Sequence, residues 1–210
     1  MTRGRLLTFE GIEGCGKSTQ LGLVARRLEA AGAAVLTTRE PGGTALGEGL
    51  RALLLDPAHR PTPHAELFLL EAARSQLVRD VVLPALEAGA YVLSDRFSDS
   101  SLAYQGEARG LGWDVVEGLN SLACRGLRPD RTLVLDLGVE EALARARART
   151  STTADNRRFE DEDLLFHAAV QRGFRRLAAR EPERVRLVDG SGTPEEVFRR
   201  VLAALEDVLP

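Results

Sequence analysis

The sequence predicts an α/β fold, a five-stranded parallel sheet flanked by helices. Three observations predict it. Five short apolar segments recur, at about Arg5–Glu10, Ala34–Arg39, Tyr91–Asp95, Thr132–Leu137 and Val185–Asp189. Helical patterns separate each from the next, the alternation that parallel sheets require. The first segment runs into Gly11-Ile12-Glu13-Gly14-Cys15-Gly16-Lys17-Ser18-Thr19, which fits G-x-x-x-x-G-K-[ST], a loop that wraps phosphate.

Length and composition set bounds. The 210 residues suit one domain, 1–210, and 44% hydrophobic residues can fill a core. A net charge of −3 leaves no basic footprint for a nucleic acid. Cys15 and Cys124 are too few for a disulfide framework, so a reducing, cytoplasmic setting is expected. The N-terminal residues run straight into a strand without a signal-peptide core. No apolar run approaches a membrane span of about 18 residues.

In the glycine-rich loop, Gly11, Gly14 and Gly16 let the backbone turn its N–H groups into one concavity. A helix follows, read as Gln20 to Ala31 from Leu21, Val24, Ala25 and Leu28, and its N-terminal end favours anions. Lys17 is placed to reach the β- and γ-phosphates of a nucleoside triphosphate, and Ser18 to coordinate Mg²⁺. Lys17 is the only lysine among 28 cationic residues. Arginine, a wide planar fork, serves everywhere else, and the compact ammonium is kept for the tight loop.

Ligands of parallel sheets bind at the carboxyl ends of the strands. Those ends carry Glu10-Gly11, Arg39-Glu40-Pro41-Gly42, Asp95-Arg96, Asp136 and Asp189-Gly190, and all are expected to converge on one site. Thr44 is placed to cap a helix from Ala45 to Leu55. Arg51, beside that helix's apolar stripe, either faces the site or is a solvated charge. A long helix is expected from Pro63 to Ala88, with Pro84 kinking or shortening its end and Gly89 terminating it. Arg74 falls on its apolar stripe with Leu67, Leu70, Leu77 and Val78. A charge there needs a partner, either a ligand or a carboxylate such as Glu71 or Asp80.

Asp95 sits where a carboxylate can hold Mg²⁺, and Arg96 can clamp a phosphate bidentately. Ser101, Tyr104 and Gln105 follow, suited to a sugar and a base edge. The helix Trp113–Cys124 shows an apolar stripe of Trp113, Val116, Leu119 and Leu122, read as core or subunit contact. Beyond the fourth strand, Arg145, Arg147 and Arg149, then Arg157 and Arg158, flank the polar stretch Thr150–Asn156. They read either as solvated helix charge or as a lid carrying arginine onto a triphosphate. A helix from Asp161 to Arg180, the fifth strand and a capped helix starting at Thr193-Pro194 complete the chain.

A phosphate loop does not name the acceptor. Three classes fit it: a small-molecule kinase, a hydrolysing switch, or a binding subunit without chemistry. With Lys17 the only lysine, an N-K-x-D base-reading motif is absent. The second cluster of Arg51, Arg74, Arg96, Ser101, Tyr104 and Gln105 suits a second anionic ligand with sugar and base, which favours phosphoryl transfer between two nucleotides.

Phe9 to Thr19, Thr38-Arg39-Glu40-Pro41-Gly42-Gly43-Thr44, Ala72-Ala73-Arg74 and Asp95-Arg96-Phe97 with Ser101-Leu102-Ala103-Tyr104-Gln105-Gly106 together resemble bacterial thymidylate kinases, from about Leu6 to Leu202. The resemblance implies a P-loop fold of the nucleoside monophosphate kinase kind, with a short arginine-bearing lid at about 147–160. It implies ATP and dTMP as substrates, Mg²⁺ as cofactor, and a homodimer. Gly11 to Thr19 would bind ATP, with Arg145 against the adenine. Glu13 would face the acceptor's 3′-hydroxyl, Arg51 and Arg96 its phosphate, and Arg74, Ser101 and Gln105 its base. Tyr104 would crowd out a ribose 2′-hydroxyl, and Glu40 and Pro41 would complete the dTMP site. Gly14 stands where some members carry a catalytic arginine. The lid would then supply it, from Arg149 or Arg158, and Arg158-Phe159-Glu160 matches the lid pattern better. The family usually stacks an aromatic on thymine at the position of Leu70. Phe68 would point about 200° away on an ideal helix. Either Leu70 packs on the base, or local geometry admits Phe68.

Overall fold

The computed structural model describes residues 3–150, 159 and 162–209, without the side chains of 149 and 150. Five strands form one parallel sheet: β1 (Leu6–Glu10), β2 (Val35–Arg39), β3 (Tyr91–Asp95), β4 (Arg131–Asp136) and β5 (Val185–Asp189), ordered β2-β3-β1-β4-β5. Register pairs Phe9 with Asp95, Glu10 with Val134, and Asp136 with Asp189. Every residue of β1 is buried, as expected of the central strand of a sheet covered on both faces. From β1 the chain crosses outward to β2; from β3 it crosses back over β1 to β4. The two crossovers run in opposite directions and leave a crevice at the carboxyl ends of β3 and β1.

Strand bounds agree with the sequence expectations to within a residue. Helix bounds shift more. α1 is Lys17–Ala30 and starts three residues before the apolar period does, because the end of the phosphate loop is itself the first turn. α2 is Ala45–Leu55, and the Thr44 hydroxyl accepts from the Gly47 N–H at 2.9 Å. α3 is Pro63–Leu77, with Thr62 as its cap. The expected continuation to Ala88 changes register. Val78–Val82 form a π-helical turn, in which the Leu83 N–H donates to the Val78 carbonyl, before α4 (Leu83–Glu87). Pro84 has no N–H for the carbonyl four residues back and crowds it, and the wider turn relieves both.

α5 (Ser98–Ser101) runs on as a second π-helical stretch, Leu102–Ala108. α6 is Trp113–Ala123, and its buried face differs from the expected stripe. Trp113, Val116, Asn120 and Ala123 face inward, whereas Leu122 is 77% exposed. Asn120 sets this rotation. Its amide donates to the Ser98 carbonyl at 2.9 Å and its oxygen accepts from Arg74 at 2.8 Å, so a polar residue holds the inner face. α7 is Val139–Thr150. α8 (Leu164–Arg180) starts at the cap Asp163, which accepts from the Phe166 N–H at 2.7 Å, rather than at Asp161. Gly173 lets α8 lie against the Leu102–Ala108 stretch, since a Cβ there would sit 2.9 Å from the Ala103 Cα. α9 (Pro194–Ala204) has the expected capping box of Thr193 and Glu196. Among the described residues no helix is long and apolar enough to cross a membrane.

Candidate active site

The loop after β1 turns through Gly11, Gly14 and Gly16, all at positive φ, and Gly16 precedes α1 without a side-chain cap. The first N–H groups of α1 are thus left for an anion. The Lys17 ammonium lies along the loop, donating to the carbonyls of Gly11 at 3.1 Å and Ile12 at 2.9 Å. Ile12 and Cys15 are buried beneath it, and burial pushes the Cys15 thiol up, so it packs rather than reacts. Ser18 and Thr19 are exposed at the mouth. Gly14 abuts α7. A Cβ at that position would lie 1.9 Å from the Ala142 carbonyl oxygen and 2.9 Å from the Ala146 nitrogen.

At the end of β3 the Asp95 carboxylate accepts from the Ser18 hydroxyl at 2.6 Å. One carboxylate and one hydroxyl at a phosphate loop make the donor set that Mg²⁺ shares with substrate phosphates and water, so these two residues fit that ion. Among the described residues no cluster of three His, Cys, Asp or Glu offers an all-protein alternative.

Arg96 is the next residue, at φ 72, a conformation costly for a non-glycine. The Arg96 N–H donates to the Phe9 carbonyl at 3.0 Å, and its carbonyl accepts from the Ser94 hydroxyl at 2.6 Å, which hold the strained turn. Its guanidinium donates to Gly11, Ser100 and Glu13, the last at 2.7 Å, and lies 4.9 Å over the Tyr104 ring. Burial works against this cation, but Tyr104 and Glu13 outweigh it, and the proton is held more firmly than on a free arginine. Burial likewise pushes the Glu13 carboxyl up, yet Arg96 and Lys17 bring it below the usual carboxylate range. Glu13 also accepts from the Tyr104 hydroxyl at 2.9 Å, and the His167 ring lies 3.6 Å away.

Arg74 is 2% exposed. It forks onto Glu40 at 2.7 Å and Glu71 at 2.5 Å, and donates to Ser101, Asn120 and the Phe97 carbonyl. The expected pairing with Glu71 is present; Asp80 instead accepts from Gln76. Burial pulls the guanidinium down, and the two carboxylates more than restore it. Arg51 faces the site rather than solvent, donating to the Pro41 carbonyl at 3.0 Å, and burial beside Arg39 lowers its proton affinity.

These groups enclose one cleft of about 510 Å³. It runs from Glu13, Gly14, Lys17 and Ser18, past Asp95 and Arg96, to Glu40, Pro41, Arg51, Arg74, Ser101, Tyr104 and Gln105. Leu70 lines it, whereas Phe68 is 57% exposed and does not line it. Arg145 stands outside the cleft, bonded to Glu141 at 2.6 Å and to the Gly190 carbonyl at 3.4 Å. At two strand ends the carboxylates do not line the cleft, although Gly190 lies against the Cys15 carbonyl of the phosphate loop. Asp136 accepts from Gln171 at 2.7 Å and Arg175 at 3.0 Å, and Asp189 accepts from the Ser191 N–H at 3.0 Å. Arg158, the Arg149 side chain and the stretch 151–158 lie outside the described residues.

Arg39, expected at the site as a strand end, also lines the cleft; sequence reasoning missed Ser100 and Phe159, which line it too. Phe159 packs edge-on against Tyr104 at 5.9 Å between centroids; the Arg158-Phe159-Glu160 pattern had pointed to the segment but not to that ring. Glu10, expected at the site as a strand end, is instead buried behind the loop, where it accepts from the Phe97 N–H and the Ser100 hydroxyl.

A sequence model of the family described as thymidylate kinase matches residues 9–201. The chain belongs to the thymidylate kinase family. Relatives named thymidylate kinase include one from Citrifermentans bemidjiense, 51% identical over 96% of this chain and 91% of its own. Another, from Geobacter sulfurreducens, is 47% identical over 99% of each chain. The crystal structure of thymidylate kinase from Ehrlichia chaffeensis superposes with a TM-score of 0.78, at 30% identity, over 97% of this chain and 99% of that one. Membership of the thymidylate kinase family makes the chain a nucleotide-binding phosphotransferase and carries the P-loop fold with it.

Proposed function

We propose that this chain transfers the γ-phosphoryl group of ATP to dTMP, giving dTDP and ADP. One observation carries the reading: the phosphate loop and the guanidinium-lined pocket are two ends of a single cleft, joined at Glu13 and Arg96. Two phosphate-binding ends in one cleft serve direct transfer rather than hydrolysis, because both nucleotides are then held with the reacting groups facing each other.

In this reading Lys17 and the loop N–H groups from Gly11 to Thr19 hold the donor's phosphates, and Arg145 lies against its adenine. Arg96 and Arg51 hold the acceptor phosphate. Glu13, kept ionised by Arg96 and Lys17, accepts from the sugar 3′-hydroxyl. Tyr104, fixed on Glu13, narrows the space beside that sugar. Arg74, Ser101 and Gln105 meet the base edge, Leu70 packs on its face, and Glu40 with Pro41 closes the wall. Ser18 and Asp95 would hold Mg²⁺, whose charge neutralises the β- and γ-phosphate oxygens when it is bound. A lid at about 147–160 supplies the arginine, Arg158 rather than Arg149. Residues 1–210 act as one kinase unit in the cytoplasm, and two copies pair through α3 and α6. The exposed apolar side chains Phe68, Val115 and Leu122 support that pairing, which sedimentation at micromolar concentration checks.

Steady-state assays with dTMP, dUMP, CMP, AMP and shikimate test the reaction. dTMP is expected to have the highest kcat/KM. Equal ATP hydrolysis without acceptor would favour a hydrolysing switch instead. Arg158→Ala is expected to cut kcat by about 10³. A larger loss from Arg149→Ala would move the role to that residue.

A further inference from the structure

Gln105 and Glu66 are each 1% exposed, and the Gln105 amide nitrogen donates to the Glu66 Oε1 at 2.8 Å. The contact crosses from the Leu102–Ala108 stretch to α3, 39 residues away in sequence. Arg109 lies on both Glu66 oxygens at 3.3 Å. Arg109 is held in turn by Glu162 at 2.6 Å and by the Phe166 ring at 4.4 Å. A carboxylate beside a guanidinium only accepts, so the Gln105 amide has one orientation available. Its NH₂ turns to Glu66 and its oxygen turns away. Gln105 lines the cleft, and among the described residues its Oε1 has no hydrogen-bond partner.

We propose that Glu66 is a positioning residue for base choice: it locks the Gln105 amide so that an acceptor, and not a donor, faces the base. The assignment rests on the reading that Gln105 meets the base of the acceptor nucleotide. An imide base, thymine or uracil, carries a ring N–H at position 3 and pairs with that oxygen. Cytosine presents a lone pair at the same atom and opposes it. With the amide free to turn, the site would offer cytosine an N–H and lose the distinction. A buried, unmatched polar pair is what makes such discrimination large.

Two variants separate this role from simple packing. Glu66→Gln keeps the size of the side chain but can both donate and accept, so it unlocks the amide. Glu66→Asp is shorter but still only accepts. The measurement is kcat/KM for dTMP, dUMP and dCMP in the wild type and both variants, with thermal midpoints alongside. Glu66→Gln is expected to lower the dTMP to dCMP ratio tenfold or more and leave the dTMP to dUMP ratio unchanged, since both of those bases carry the N–H. Glu66→Asp is expected to keep the dTMP to dCMP ratio within threefold of wild type. A packing role predicts the reverse order, and that order would overturn the proposal. So would a folded Glu66→Gln enzyme with wild-type discrimination. Should Glu66→Gln not fold, Glu66→Asp decides alone: a kept ratio supports the proposal and a tenfold loss overturns it. A wild-type enzyme that accepts dCMP as well as dTMP would sink the base-reading assignment itself, independently of either variant.

Discussion

At the carboxyl ends of β2 and β3, and in the loop after β1, the charged residues line the cleft; at the ends of β4 and β5 the same residue types are consumed within the chain. Arg39, Glu40, Asp95 and Arg96 all face the 510 Å³ space. Asp136 is taken by Gln171 and Arg175, both on α8, and Asp189 by the following backbone turn and by Arg200 at 3.4 Å. The difference lies in what stands over each edge. The crossovers leaving β1 and β3 run in opposite directions and leave a crevice at their strand ends. α8 reaches across the β4 edge and brings its own donors. A carboxylate at a strand end therefore marks the binding edge of the sheet, and the local covering decides whether it meets a ligand.

The largest expected effect tests the open half against the covered half directly. Arg96→Ala should lower kcat/KM for dTMP by about 10³, on the scale of arginine contacts to a transferring phosphoryl group. Asp136→Asn should leave it within about twofold, since the side chain makes only internal contacts that a neutral amide partly keeps. Comparable losses in the two variants, read by steady-state kinetics, would break the comparison.

Next in size is the buried guanidinium. Arg74→Met leaves Glu40 and Glu71 buried beside an apolar chain, and urea unfolding should show a loss of about 3–5 kcal/mol. Arg175, on the covered side, pairs with Asp136 but is 54% exposed. Arg175→Met should cost under about 1 kcal/mol by the same measurement.

Spread over several pH units, and so mildest at any one pH, is a pH dependence. Burial, then repulsion from Asp99, raises the Glu10 carboxyl from 4.5 to about 8 against the pull of Arg96 and of its hydrogen bonds. Between those two values the folded chain binds a proton that the unfolded chain has released. Stability should therefore be full below pH 4.5, fall as pH rises, and level off beyond about 8, with a slope of up to about 1.4 kcal/mol per pH unit. Urea midpoints from pH 5 to 9 measure it, and Glu10→Gln should reduce the slope to the part left by Glu40, whose carboxyl burial raises to about 7. A slope unchanged in that variant would place the titrating group elsewhere.

Much of this was legible in the sequence, for reasons that differ by residue. The strands were plain because short runs such as Leu6, Leu7 and Phe9 of β1, buried on both faces of the sheet, stand out between helical patterns. Arg74 announced itself as a charge on an apolar stripe, although whether it met Glu71, Asp80 or a ligand was left to the fold. The π-helical turn at Val78–Val82 was half visible, since Pro84 signals a disturbance but not its form. Periodicity placed Leu122 on one stripe with Trp113 and Val116 without telling core from subunit contact; in the chain Leu122 is exposed, and Asn120 holds the inner face through its hydrogen bonds. Glu66 was invisible for a related reason. An acid in the first turns of a helix has a sufficient local explanation in the helix dipole, and only the tertiary contact to Gln105 reveals another use. The convergence of strand ends was overstated for the carboxylates of Asp136 and Asp189, because residue type at a strand end carries no information about what crosses above it.

The contact between Gly14 and α7 bears on how such a loop can change over generations. With the Ala142 carbonyl oxygen 1.9 Å from where a Cβ would stand, even alanine at position 14 collides with backbone, and arginine begins from the same Cβ. Placing an arginine at position 14 of this chain is therefore not one substitution away. It requires α7 to be displaced first, and α7 is the helix that leads into residues 151–158. The composition of the loop and the position of α7 constrain each other as a single linked choice.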